Sequence, residues 1–466
     1  MKLVITIPRI RKNFFSISLI FSLINISLTS VALWIVPGLS DNFRIYALVP
    51  LLYTILFALI RRFTVFDSPG VFTIHAVAFL RYMLSPFVMI TTNHFSSMCR
   101  AYDNLGKAVL IMIVEMVFIF GTMFLYNPKT KEIPRADIKY SFFVKIAAVI
   151  TFILFVIDNR SLIGNLSVFS GKVQVENTNA TLGVVSIIWQ ALCVFIFCFI
   201  IQDISNNSRF RKFVVLPLLC CLGYLLIIFT GQTDLSRWYT IVSLVAIIFW
   251  MSKLYPKRRN TIVLMIVVPA LLLIIVASIL KNTKEGFSGS MQKVLSELIN
   301  STNLDSYFAG PANISNAIAT KNIYSPGLGS MFFDIFNNFP IINHWFPHSF
   351  ASVNYFADFM RRGDQILPLV SQSFIWFGYV FTPLLSVFSV ILSKKLDTRF
   401  KGSDDITTYL YAFFAIWCAL MPILNFTIWL SWIYVRIIPA FLLFAFVTGK
   451  FSRSARRLRG RHEYQS

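Results

Sequence analysis

The sequence predicts an all-α, polytopic integral membrane helix bundle of about twelve transmembrane helices, with one large outer loop containing short amphipathic helices. Three observations predict it. Hydrophobic residues make up 57% of the chain and charged residues 13%, with a mean hydropathy of +0.71, against about 25% charged residues in a soluble domain. The apolar residues fall in helix-length runs, since a hydrocarbon core of about 30 Å takes roughly 20 residues, and they do not alternate as barrel strands would. The polar segments of one side of this bundle collect two thirds of the 42 Lys and Arg.

Taken in order, the spans read as 13–36, 45–60, 70–91, 107–126, 143–158, 181–202, 212–230, 237–255, 261–280, 366–393, 406–427 and 429–449. The first follows Lys2, Arg9, Arg11 and Lys12 and lacks a small-residue cleavage site, so it reads as an uncleaved span. Segments 45–60 and 143–158 are short, and 366–393 is long, which predicts tilt or a break near Pro383. The organisation is a bundle over 1–280, a large loop over 281–365, three further spans over 366–449 and a basic tail over 450–466.

The formal net charge of +22 is a topology signal rather than a nucleic-acid signal. Arg61 and Arg62, the run Lys129 to Lys145, Arg209 to Lys212, Lys257 to Arg259, Lys394 to Lys401 and the tail all fall on the side of the N-terminus. Short cytoplasmic loops carry this excess, which puts both termini in the cytoplasm and the 281–364 stretch outside an inner or plasma membrane. The tail is then a solvated segment facing anionic lipid. Of the six cysteines only Cys99 falls in a loop, so the sequence offers neither a disulfide framework nor a metal cluster.

The 281–364 stretch is too rich in apolar residues for a disordered linker. Met291 to Ile299 reads as a short amphipathic helix, Pro311 to Ile318 as a second, and 352–362 as a third. Between them Met331 to Phe336, Phe339, Trp345 and Phe346 form an aromatic surface suited either to the headgroup boundary or to packing on the outer helix ends. Asp358 stands three and four residues before Arg361 and Arg362, the spacing of an ion pair on one helix face.

Charges inside spans need a reason, because each costs at least about 2.5 kcal/mol at the centre of a membrane helix. Arg81 and Glu115 lie at matching depths of two consecutive antiparallel spans, where a structural pair competes with a substrate-binding role for Arg81. Arg436 lies in an outer half with no acid near it in sequence, which leaves room for an anionic ligand. Arg237 opens a span, where a guanidinium and free helix N–H groups together make a phosphate seat, with an interfacial anchor paired to Asp234 as the plainer alternative. Arg237, Arg361, Arg362, Arg436 and Arg81 are expected to converge on a lipid diphosphate.

The chain resembles the Wzy-type O-antigen and capsule repeat-unit polymerases, related to the O-antigen ligases. The resemblance rests on the span count, the cytoplasmic termini and the large outer loop in the C-terminal half. Local matches are Thr230-Gly231 to Ser236-Arg237, Gly327-Leu328-Gly329, and Gln365-Ile366-Leu367-Pro368 leading to Phe377-Gly378. Arg160 and Gly171 fit a family spacing of an arginine and a following glycine, whereas the 281–364 loop lacks the second copy. The resemblance implies metal-independent, inverting glycosyl transfer from an undecaprenyl-diphosphate-linked glycan to a hydroxyl of an incoming repeat unit, without a cofactor. It also implies a chain-length regulator and a flippase as partners, membrane lipid around the chain and no nucleic acid. Arg237, Arg361, Arg362 and Arg436 are then assigned to the leaving diphosphate, with Arg81 and Arg160 as further substrate-binding candidates, and His344 or His348 to the base, with Asp358 and Glu285 as weaker choices.

Three other readings compete. A ligase passing finished glycan to another acceptor shares the chemistry and differs in product. A lipid-linked glycan transporter places its charges along a mid-membrane path, where this chain offers mainly Arg81. A scaffold leaves the deep arginines without a role.

Overall fold

A computed structural model describes residues 23–32, 41–60, 68–94, 96–132, 146–147, 149–151, 153–154, 180–207, 215–230, 237–269, 301–339, 348–361 and 366–447. These residues are helical with short connections, and no strand occurs among them. In chain order the helices are α1 (Leu23–Ala32), α2 (Asp41–Ile60), α3 (Pro69–Thr92), α4 (Tyr102–Leu125), α5 (Ala180–Asn206), α6 (Val215–Thr230), α7 (Arg237–Leu254) and α8 (Pro256–Pro269). The loop region supplies α9 (Ser301–Tyr307), α10 (Pro311–Tyr324), α11 (Leu328–Phe336) and α12 (Ser352–Met360). The remainder is α13 (Leu369–Phe377), α14 (Leu384–Gly402), α15 (Thr408–Leu420) and α16 (Phe426–Val447).

This is a membrane protein by its helices: α3, α4, Ile187–Asn206 of α5, and α16 are each long and apolar enough to cross a bilayer. The pair α7 and α8, bent by 117° at Tyr255, makes a fifth among the described residues if it is one span. The expected count of about twelve is not reached by this measure. Four further apolar stretches, Leu23–Ala32, Arg44–Leu59, Val215–Ile228 and Thr408–Ile423, are 10–17 residues long among the described residues. The segments at 13–36, 143–158 and 261–280 lie partly outside the described residues. The 366–393 segment is broken, and the break starts before Pro383: Gly378, at φ +79°, closes α13, and α14 begins only after Pro383. That positive φ is one an L side chain rarely adopts.

At one end of the bundle, charged side chains fasten helix termini. Asp397 of α14 accepts the N–H groups of Gly70 (2.8 Å) and Val71 (2.9 Å) at the start of α3. Gly70 is needed there, because a Cβ would collide with Ser393 Oγ. Lys253 caps the other terminus of α14, donating to the carbonyls of Phe400 (2.8 Å), Lys401 (3.0 Å) and Ser403 (2.5 Å) and pairing with Asp404.

The opposite end carries residues 301–339 and 348–361, with Thr302 meeting Ser97 beyond the far end of α3. Here α10 is not an amphipathic surface helix as expected: every side chain from Pro311 to Ile318 is buried, against α4 and α13. Loop and bundle share one core, in which Ile314, Ala317 and Ile318 meet Met89, Met112 and Phe374. Helix α11 is amphipathic in the inverse sense, with Ser330 and Asp334 buried while Leu328 and Phe332 stand 55% and 56% exposed. The helix expected at Met291 to Ile299 lies outside the described residues.

Candidate functional site

Arg436 sits on a π-turn, Ile433–Ile437, within α16. Such a turn inserts an extra residue and re-aims the side chains that follow. The start of α16 is fixed by Asn425, whose Oδ1 accepts the N–H of Ile428 (2.6 Å), a normal N-cap. The guanidinium lies 3.9 Å over the ring of Tyr239 and 4.6 Å from that of Trp432. Trp432 is stacked in turn on Trp417, with centroids 3.8 Å apart and planes within 7°. Arginine over aromatic faces gains roughly 0.5–2 kcal/mol, more where water is excluded, and the side chain here is half-buried.

Tyr239 is the third residue of α7, and Arg237 is the first. The structure therefore brings Arg436 to the helix start that Arg237 opens. The Arg237 side chain itself lies outside the described residues. One wall of this place comes from the loop: the Phe339 ring packs 4.7 Å from that of Tyr434, and Ile335 joins the same core. A planar cation held between rings, next to a helix N-terminus, is suited to binding the oxygens of an anion.

The wall is held by a clasp that sequence reasoning missed. Asp334 of α11 is fully buried. Its Oδ2 accepts the Ser352 hydroxyl (2.5 Å), the Ser352 N–H (3.2 Å) and Trp376 Nε1–H (3.0 Å). Gln372 Nε2 donates to Ser352 Oγ (3.1 Å) and Thr427 Oγ1 (3.1 Å), while its Oε1 accepts the N–H of Phe426 (2.7 Å). One network thus joins α11, α12 and α13 to the first residue of α16. Burial pushes the Asp334 carboxyl above its ordinary range, and the hydrogen bonds from Ser352, Gln372 and Trp376 oppose that. The available signal was a lone carboxylate inside the run Met331 to Phe336, where it has to find donors.

The other predicted residues fall elsewhere. Arg81, on a π-turn of α3, is fully buried and pairs with Glu115 of α4 at 2.7 Å. It also donates to the carbonyl of Pro422 (2.9 Å), while Glu115 accepts Tyr82 (3.1 Å) and Ser386 (2.6 Å) hydroxyls. Arg81 is therefore engaged within the bundle. Asp358 is exposed on α12. Arg361 closes that helix in the left-handed region (φ +50°), donating its N–H to the Asp358 carbonyl (3.1 Å). The helix stops before 361–362, so Arg361 leaves the Asp358 face, and among the described residues no Asp358–Arg361 ion pair forms. His348 opens a short 3-10 turn, His348–Phe350, just before Ser352, with its side chain outside the described residues. His344, Arg160, Gly171, Arg362 and Glu285 lie outside them altogether. No group of three potential metal ligands among His, Cys, Asp and Glu occurs among the described residues.

Comparison of the chain with protein-family models, with characterised proteins and with solved structures gives no match.

Proposed function

We propose that this chain is a polytopic glycosyltransferase of an inner or plasma membrane. It joins undecaprenyl-diphosphate-linked oligosaccharide repeat units into a surface polysaccharide. The single observation that carries the reading is the Arg436 guanidinium over Tyr239 and Trp432, at the helix start opened by Arg237 and beside the aromatic wall of residues 335–339. In this proposal the chain crosses the membrane about twelve times with both termini cytoplasmic, so the 281–364 stretch and the Arg436 site face outward. The inverse amphipathicity of α11 fits an outer-leaflet position, with Leu328 and Phe332 against lipid.

The reaction breaks the bond from the anomeric carbon to the diphosphate oxygen. It forms a bond to the acceptor hydroxyl oxygen, whose proton passes to a base. Arg436 and Arg237 stabilise charge on the leaving diphosphate, where fixed donors contribute most to the transition state. His348, at the turn before the clasp, is the base to test first, with His344 and Asp358 as alternatives.

In a strain lacking the chain, complementation with Arg436→Ala should leave single repeat units in place of a glycan ladder, with the protein still in the membrane. Arg436→Lys should restore only short products, since an ammonium keeps the charge but loses the planar fork and the ring stacking. Wild-type ladders from Arg436→Ala and Arg237→Ala together would sink the proposal.

A further inference from the structure

Where the loop meets the bundle lies a cluster of buried polar side chains that neither the Arg436 site nor its clasp uses. Asp305, in α9, is fully buried. Its Oδ1 accepts the N–H of Ala312 (3.1 Å), at the start of α10. The chain wraps the carboxylate so tightly that a Cβ at Gly310 would strike it. On the other side, Asp305 Oδ2 has no hydrogen-bond partner among the described residues, and neither polar atom of the fully buried Asn313 side chain has one. Ser96 borders the carboxylate, and Tyr46 of α2, with Ser85 of α3 beside it, faces it from the bundle.

Charge decides what the cluster lacks. Arg81 is within electrostatic reach of Asp305, but its charge is already balanced by Glu115 at 2.7 Å. An ionised Asp305 therefore leaves one negative charge uncompensated. Each unmet buried polar group costs about 1–3 kcal/mol, and an unpaired charge costs more. A proton on Oδ2 would remove the charge but leave the Asn313 amide unserved. A single cation that prefers oxygen serves Oδ2 and the Asn313 side-chain oxygen together. A divalent ion calls for more carboxylates, and no three-ligand acidic cluster occurs among the described residues.

We propose that this junction binds a monovalent hard cation of the sodium class, ligated by Asp305 Oδ2 and the Asn313 side-chain oxygen, with hydroxyl or water oxygens completing its shell. Its oxygens come from the loop helices and it lies against α2 and α3, so the ion ties the loop to the bundle. Occupancy should rise with sodium and stiffen the junction.

The test uses the full-length chain in detergent micelles at alkaline pH, with sodium chloride exchanged for choline chloride at constant ionic strength. Wild type should show a saturable rise of the unfolding midpoint, by about one to two degrees at about ten times the dissociation constant, and broadening of the sodium NMR line. Asp305→Asn, which keeps the shape and removes the charge, should lose both responses, and Asn313→Leu should weaken affinity about tenfold, as expected for loss of roughly 1.4 kcal/mol. An unchanged response in Asp305→Asn would overturn the site. So would a wild-type midpoint that follows pH through neutrality with no dependence on sodium, since that would make Asp305 a protonated carboxyl.

Discussion

Replacing Asp334 by alanine should unlatch the loop wall from the Arg436 site without touching any group that binds substrate. The substitution leaves three buried donors without an acceptor: the Ser352 N–H, the Ser352 hydroxyl and Trp376 Nε1–H. At about 1 kcal/mol or more for each buried donor left unsatisfied, the seated wall loses about 3 kcal/mol at least. That loss raises the open population more than about a hundredfold, at 1.4 kcal/mol per factor of ten. Asp334→Asn keeps an acceptor and the shape, and should cost about 1 kcal/mol, the size of one weakened hydrogen bond. The measurement is backbone hydrogen exchange over 328–361, with exchange in α14 as the internal control, beside the glycan ladder from the same variants. Faster exchange confined to 328–361, with shortened glycan, is the expected result. Wild-type exchange there in Asp334→Ala would refute the clasp, whatever the ladder shows.

The remaining predictions concern other charged groups. Glu115→Gln strands the fully buried Arg81 cation and should cost about 3–5 kcal/mol, read as loss of the chain from membranes, whereas Arg81→Met with Glu115→Leu should recover abundance. His348→Ala should lower polymer yield far more than His94→Ala, a histidine at the end of α3, and equal yields would remove His348 from the chemistry. Burial pushes the Asp305 carboxyl up to about 7, opposed by the N–H groups of Ala312 and Asn313, by Ser96 and by Arg81. The folded state then holds its proton more tightly than the unfolded chain does. Stability in sodium-free medium should be full below the ordinary carboxylate range and fall as pH rises through about 7, and Asp305→Asn should flatten that slope.

The Arg81–Glu115 contact was legible in the sequence because two rules meet there. A charge at membrane depth has to find a partner, and consecutive antiparallel helices set residues at equal depth level with each other. Arg436 was legible as a charge out of place, but not its neighbours, since the π-turn at Ile433–Ile437 shifts the register that sequence spacing assumes. The Asp358–Arg361 pair failed for a similar reason: an i, i+3 pair requires the helix to continue, and Arg361 ends it in the left-handed region. Spacing located helices at Pro311 and Ser352 but gave the wrong burial for the first. Periodicity reports which residues are apolar, and next to a membrane an apolar face need not be the inward one. In α11 the polar Ser330 and Asp334 point inward and Leu328 and Phe332 do not.

These assignments divide the loop into two parts with different duties. Helix α10 is a wedge rather than a lid. Besides its buried first half, Lys321 donates to the carbonyls of Phe374 (2.7 Å) and Ile375 (3.1 Å), closing the terminus of α13 where the chain breaks at Gly378. On the other side of the same helix Asn316 accepts the Arg100 N–H (2.9 Å) and donates to the Met98 carbonyl (2.9 Å). Moving α10 would therefore disrupt α13 and the α3–α4 connection together. Residues 328–339 and 348–361 are held differently. Helix α12 packs Phe356 and Met360 into the shared core and takes a hydrogen bond from Arg100 at the Phe359 carbonyl (3.1 Å). Helix α11 is fastened by the buried carboxylate of Asp334 and by aromatic contacts such as Phe339 on Tyr434. If Arg436 binds a membrane-tethered substrate, as proposed, that substrate enters and leaves beside the Phe339–Tyr434 contact, where α11 forms one wall. The broken helix α13 then acts as a fixed post between wedge and wall, with Gln372 joining the wall to the start of α16 and so to the turn that aims Arg436.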